Sequence, residues 1–336
     1  MRSYLSEQLL VILARYLPVE KYISEGNHRF IFPFWHVISD VPQPHWSQLY
    51  CALSADKFER DLDFLLKHYK PASFEDVSRY VSNGKADRKL FFPTFDDGMS
   101  ECFSVIAPIL KKKGIQAAFF INPEFVGNKM LFHRHKASIL LNQARGKKVK
   151  KEAIGHAEQI VKTSIHQFLR QSAYTDHPIL DQLADILGID FQDYLNRQKP
   201  YLSLEQIRNL QTDGFLIGAH GMDHREFFLS SESEIINEIS ASMSFVIREV
   251  NPPAKLFAFP FTDFEVPDRV FEKAIELNLW DISFGTAGIK DEPLPRHIQR
   301  IPMESKNRND AKIILRKEYL EYFIKKILGK NIVRRT

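Results

Sequence analysis

Short apolar runs that end abruptly in charged or histidine side chains, with helix-patterned segments between them, limit what this chain can fold into. The runs are Arg29–Trp35 (RFIFPFW, ending at His36), Leu90–Phe95 (ending in Asp96-Asp97-Gly98), Ile115–Ile121, Phe215–Ala219 (running into His220), Leu256–Phe259 and Trp280–Phe284. None alternates cleanly between apolar and polar residues, so each is expected to be buried on both faces, as in a parallel sheet covered by helices. Pro93 costs the second run a ladder hydrogen bond. Between the runs, Asp56–Tyr69 places Phe58, Leu62, Leu65 and Leu66 on one helical face, and a helix after Gly98 runs to Lys113, closed by Gly114. Ser203 with Gln206 and Ser231 with Glu234 form capping boxes at two further helix starts; Gly214 ends the first helix and Pro252-Pro253 the second. Another helix begins near Pro267. This alternation predicts an α/β fold, a distorted or incomplete (β/α) barrel, whose chemistry gathers at the C-terminal ends of its strands. The polar clusters lie at those ends.

The rhythm is interrupted between residues 125 and 199, a polar, helix-patterned stretch containing the basic run Arg145–Lys151. It reads as an insertion capping the barrel mouth, so the barrel is expected over 29–303 with 125–199 inserted. Residues 1–28 are expected to form an amphipathic helix: the apolar run Leu9–Leu13 is short, Glu7 interrupts its approach, and Arg15 follows without a small-residue cleavage site. No stretch approaches the roughly 20 apolar residues of a membrane span. Cys51 and Cys102 have neither zinc-type spacing nor the look of a disulfide framework, which fits a reducing, cytoplasmic setting. The net charge of +4 is too mild to indicate a nucleic-acid partner. That charge is concentrated in the tail. Residues 311–336 carry Lys312, Arg316, Lys317, Lys325, Lys326, Lys330, Arg334 and Arg335 against Glu318 and Glu321. The segment 304–336 therefore reads as a basic amphipathic helix, either packed against the barrel or touching an anionic membrane surface on its inner face.

Two clusters carry chemistry. Adjacent carboxylates at a strand end, Asp96 and Asp97, repel one another unless a cation or a shared proton compensates, and Gly98 lets the chain turn so that both face one cavity. An Asp-Gly pair is also a common solvated turn. In Gly218-Ala-His220-Gly-Met-Asp-His224, two histidines four apart suit a shared metal ion, although an isolated pair reads equally as a surface and a core histidine. Together, one carboxylate and two imidazoles make a three-ligand site with an open position, and the spare carboxylate is available as a base.

Thr94-Phe95-Asp96-Asp97-Gly98 resembles the first motif of the polysaccharide deacetylases (carbohydrate esterase family 4, the chitooligosaccharide deacetylase homology domain). His220-Gly-Met-Asp-His224 is similar to that family's second motif, and Leu256-Phe-Ala-Phe-Pro260-Phe261 to its third. The resemblance covers roughly 30–121 and 200–303. It implies Asp96 as catalytic base, Asp97, His220 and His224 as metal ligands, and the Phe261 backbone N–H as an oxyanion donor. The sequence departs from the pattern in three ways: Phe259 stands where many members carry arginine, Thr262 where a glycine follows, and no Leu-x-His motif appears near the end. Phe34-Trp35-His36 instead resembles the Tyr-His pair of the circularly permuted branch, making His36 the candidate acid, with a capping or packing histidine as the other reading. Arg300, in Gln-Arg-Ile-Pro, is the candidate to orient Asp96 in place of the missing arginine. Trp35 and Phe261 are candidate sugar-stacking residues.

The resemblance implies hydrolysis of an N-acetyl group from an amino sugar in a glycan or glycan precursor. The expected cofactor is one divalent ion; ligand type does not settle which, zinc being the default for a mixed His/carboxylate site and cobalt, nickel or iron chemically reasonable. On that reading a water polarised by the ion would be the nucleophile, Asp96 would take its proton, and His36 would protonate the departing amine. Two other readings stay open: an amide hydrolase of the same fold acting on a non-sugar substrate, and a silent glycan-binding relative.

Overall fold

The computed structural model describes residues 10–14, 16, 29–146, 149–305 and 309–335. Residues 10–14 and 16 are helical; the rest of the helix expected over 1–28 lies outside the described residues.

The first two apolar runs are each broken by proline, which lacks a ladder donor. Run one divides into β1 (Phe30–Ile31) and β2 (Pro33–Trp35). Run two divides into β4 (Leu90–Phe91) and β5 (Thr94–Phe95), with β3 (Lys70–Pro71) between. The first halves, with β3, form a small parallel sheet in the order β1-β4-β3. The second halves join a larger one. Its other strands are β6 (Ala118–Ile121), β7 (Leu216–Ala219), β8 (Leu256–Ala258), β9 (Ile282–Gly285), β10 (His297–Gln299) and β11 (Ile301–Pro302). All its pairings are parallel, in the order β10-β9-β8-β7-β6-β5-β2-β11.

Only Arg300 separates β10 from β11. One stretch of chain therefore pairs with β9 on one side and, past Arg300, with β2 on the other, and the sheet comes close to closing. The expected barrel is met; this closing stretch was not among the runs the pattern identified. Along each strand, alternate side chains divide. Trp35, Phe95, Phe119, Ile217 and Phe257 pack outward with the helices, whereas Ala118, Phe120, Leu216, Ala258, Phe284 and Ile298 fill the interior. Burying each such phenylalanine contributes about 1.5–3 kcal/mol.

The outer layer includes α1 (Ala55–His68), α2 (Phe74–Asn83) and α3 (Ala107–Lys113). A π-helical turn, Cys102–Ile106, precedes α3 directly. Between β6 and β7 the chain forms α4 (His133–Ala144), α5 (Lys151–Val161), α6 (Ile165–Gln171), α7 (His177–Leu187) and α8 (Phe191–Gln198). Leu140, Leu169, Leu180 and Leu183 give these helices a core of their own. The chain then returns against the Asp-Asp-Gly turn: Ser100 N–H donates to Pro200 C=O and Leu202 N–H to Gly98 C=O. α9 (Leu204–Thr212), α10 (Glu232–Val250) and α11 (Asp268–Glu276) complete the layer. α12 (Ala311–Ile327) lies beside α1, with Ala311 N–H on Asp61 and Tyr319 Oη 2.8 Å from Tyr69 Oη. Among the described residues no helix is long and apolar enough to cross a membrane.

Candidate active site

The Asp96–Gly98 turn leaves β5 in an uncommon backbone. Asp97 has φ +71° and Gly98 φ +61°, both left-handed, which swings two consecutive carboxylates toward the barrel mouth instead of onto opposite faces. At Gly98 a Cβ would stand 3.2 Å from Ile121 Cγ2. His224 (φ +57°) and Phe261 (φ +56°) share this conformation. Such backbone costs on the order of 1–3 kcal/mol per residue and gathers where function over-determines it.

Four of the residues singled out in the sequence meet here. Asp97 Oδ1 lies 3.2 Å from His224 Nε2 and 3.6 Å from His220 Nε2, and it is buried without a hydrogen-bond partner. Tyr50 Oη donates to the other oxygen, Oδ2, at 2.5 Å, so Oδ1 is the one left facing the imidazoles. His220 Nδ1 donates to Ala258 C=O at 2.8 Å, which fixes the tautomer with the Nε2 lone pair toward Asp97. Asn122, just past β6, donates to the carbonyls of His220 and Gly221 and fixes the start of the histidine loop. Donor atoms each about 2.0–2.2 Å from one cation lie roughly 3–3.5 Å apart, so these three side chains fit a divalent ion with nitrogen and oxygen ligands.

Asp96 has a different partner. Arg300, fully buried, grips it with both ends of the guanidinium, Nη1 to Oδ1 at 2.7 Å and Nη2 to Oδ2 at 2.8 Å. Nη1 also reaches Thr94 Oγ1, Nε donates to Gly285 C=O, and the plane lies 4.4 Å over the Phe34 ring. Burial alone would raise the Asp96 pKa; Arg300 and His220 outweigh it and hold the carboxyl below its usual range. For Asp97, burial is likewise outweighed by His224, His36 and His220, which hold it well below that range. Burial lowers His220 to about 4, against the pull of Asp96, so it is neutral at pH 7 and able to ligate.

His36 sits at the end of β2, stacked on Tyr50 at 4.5 Å. Its Nδ1 is 2.7 Å from Glu304 Oε2, while Glu304 Oε1 takes the N–H of both His36 and Val37. Burial would lower its pKa; Glu304, then Asp97 and Asp96, override that and raise it to about 9.

Phe34, His36, Tyr50, Asp96, Phe132, Arg134, His220, His224, Phe259 and Phe261 line a cavity of about 420 Å³. Phe132, at the head of α4, packs 4.5 Å from His224, so the helical segment forms one wall. Trp35 is corrected here. It is fully buried, stacked on Phe95 at 5.6 Å and edge-on to Phe58, and no part of the cavity. Strand alternation is the reason: neighbours 34 and 36 face the cavity, so 35 faces the helices. The aromatic in that wall is Phe34. Tyr50, Asn122, Glu304 and Phe132 are contributors that sequence reasoning missed; each is a single residue in a loop or at a helix start, with no motif around it.

A family model described as polysaccharide deacetylase matches residues 83–279. Among solved structures, the deacetylase PplD of Streptococcus pyogenes in complex with acetate is similar at a TM-score of 0.54 and 16% identity, over 86% of this chain and 97% of that one. IcaB from Ammonifex degensii is similar at 0.54 and 15%, over 85% and 97%. At such identities the likeness is one of fold. No curated protein sequence matches this chain.

Proposed function

The chain belongs to the polysaccharide deacetylase family, hydrolases of carbon–nitrogen bonds other than peptide bonds, and on that premise we propose that it removes N-acetyl groups from an amino sugar of a glycan with the help of one divalent ion. The observation that carries the reading is the division of labour between adjacent carboxylates: Asp96 is clamped by Arg300, while Asp97 faces two imidazole nitrogens.

Asp97, His220 and His224 would hold the ion. When bound, it supplies Lewis-acid polarisation of the attacking water and of the acetyl carbonyl. Asp96, ionised at neutral pH, accepts the proton of that water as its oxygen adds to the acetyl carbon. Arg300 aims the carboxylate at the expense of some basicity. Phe261 lines the cavity, and its backbone N–H, directed by the tight Pro260–Thr262 turn, is the donor for the oxyanion; one such donor is worth about 3–4 kcal/mol. His36, kept protonated by Glu304, delivers a proton to the nitrogen as the carbon–nitrogen bond breaks, leaving acetate and a free amine. Tyr50 joins the two halves, bonding Asp97 and stacking on His36.

The α12 end extends the proposal to a surface. Ile327 is 85% exposed and Leu328 61% exposed beside the exposed Lys326 and Lys330, a composition suited to anionic headgroups. The test of function is acetate release from N-acetylglucosamine oligomers, nucleotide-linked N-acetyl sugars and non-sugar acetamides, with and without added divalent ions. Ion-dependent release from either sugar class is expected. Release only from non-sugar amides would move the assignment to the wider amidase reading, and release from none to a binding protein.

A further inference from the structure

Behind the Pro260–Thr262 turn lies a buried ionic cluster that the reaction above does not use. Thr262 N–H donates to Pro260 C=O, closing a γ-turn with Phe261 at its left-handed centre. The next residue, Asp263, ties this turn down. Its Oδ1 accepts the Thr286 N–H at 3.0 Å, past the end of β9. Its Oδ2 gathers Arg335 Nη2 at 2.5 Å, Gln299 Nε2 at 2.8 Å and His297 Nε2 at 3.0 Å. A second carboxylate, Glu292, accepts from Arg335 Nη1 at 2.9 Å and Nη2 at 2.8 Å.

Arg335 comes from the segment after α12, its side chain is 1% exposed, and its guanidinium lies 4.7 Å over the Phe271 ring. The segment is itself anchored, with Asp291 N–H on Asn331 C=O and Val333 N–H on Asp291 C=O. His297 bridges Ser283 Oγ, 2.8 Å from its Nδ1, and Asp263 Oδ2, 3.0 Å from its Nε2. Arg335 supplies a permanent cation that touches both buried carboxylates. Asp263, Glu292 and His297 have the spacing of a cation site, with donor atoms within 4.8 Å of one another, and the guanidinium contacts both of its carboxylates. Without that cation two buried carboxylates face one another with only His297 and Gln299 beside them, and their repulsion loosens the cluster.

We propose that Arg335 is a positioning residue for the deacetylation, a clamp whose pairing with Asp263 and Glu292 holds the γ-turn in the geometry that aims the Phe261 amide at the reacting carbonyl. The proposal rests on the oxyanion role given to Phe261 above. Its chemistry explains why a residue 72 positions from Asp263 is buried beneath the turn. The bidentate fork spans both carboxylates, which a lysine ammonium cannot reproduce.

The test uses the full chain with R335A, R335K and, as a surface control, R334A. Four quantities are read: kcat and KM for acetate release, the content of bound metal, and hydrogen exchange in peptides covering 259–264 and 285–287. R335A is expected to lower kcat about tenfold or more, with KM and metal content unchanged. Exchange should rise in those two peptides alone, and added guanidinium ion should restore part of kcat. R335K should fall between, and R334A should match the parent. If R335A fails to fold, the lower kcat and local exchange of R335K decide. An R335A chain with kcat within about twofold of the parent overturns the proposal, as does exchange that rises throughout the molecule. A parent chain that releases no acetate would refute the functional reading and the catalytic half of this one; the exchange measurement would still decide the clamp itself.

Discussion

Glu304 converts His36 from a buried imidazole, which would be neutral, into an acid that is charged at neutral pH. Burial acts first, to lower the pKa; the carboxylate and the two aspartates reverse the sign and bring it to about 9. A cation on Asp97 adds positive charge nearby and moves the value down, so the alkaline limb of the rate profile is expected below pH 9. E304Q should shift that limb toward neutral pH and cut kcat at pH 8 about tenfold or more, since general-acid help is worth about 10²–10⁴. A pH–rate profile of the variant matching the parent would contradict the acid's assignment. The linkage to stability has a definite sign. A histidine whose folded pKa is raised stabilises fully below its usual value of 6.5, and the contribution disappears as pH rises through about 9. The lowered Asp96 behaves oppositely: its contribution is present above the usual carboxylate range and is lost on acidification.

At the scale of elements, the barrel depends on close approach between β7 and its neighbours. A Cβ at Gly218 would stand 2.6 Å from both the Leu256 carbonyl and the Phe120 ring. G218A should therefore destabilise by about 1–3 kcal/mol, the usual cost of overpacking, read as a lower midpoint in denaturant; an unchanged midpoint would mean that the barrel interior is looser than described. Strand positions were legible because fully buried parallel strands leave nearly continuous apolar runs. The run 297–302 (HIQRIP) escaped notice for the opposite reason: His297, Gln299 and Arg300 interrupt its apolar character to serve buried polar networks. Asp96, Asp97, His220 and His224 could be read because their spacing repeats a chemical need. Glu304 and Tyr50 could not, because each reaches its partner only through the fold. Trp35 was misplaced by reasoning from residue type without the two-residue period of its strand.

For the whole molecule, closure of the sheet by 297–302 brings Arg300 to Asp96 across 204 residues, and Glu304 to His36 across 268. Site and barrel closure are therefore one structure, since the stretch that pairs with β2 and the residues just after it hold both Asp96 and His36. The exposed end of α12 adds a surface prediction: the chain should co-sediment with vesicles containing anionic lipid and less with neutral ones, and I327S with L328S should reduce recovery. Equal recovery on both vesicle types would end that part of the account. The central claim is that Asp97, His220 and His224 grip one cation while Asp96 works beside it. It is tested most directly by measuring bound metal in D97A, H224A and D96N alongside acetate release. D97A and H224A should lose the ion, and D96N should keep it and lose turnover. Metal retained in D97A, or an active D96N enzyme, would contradict the account.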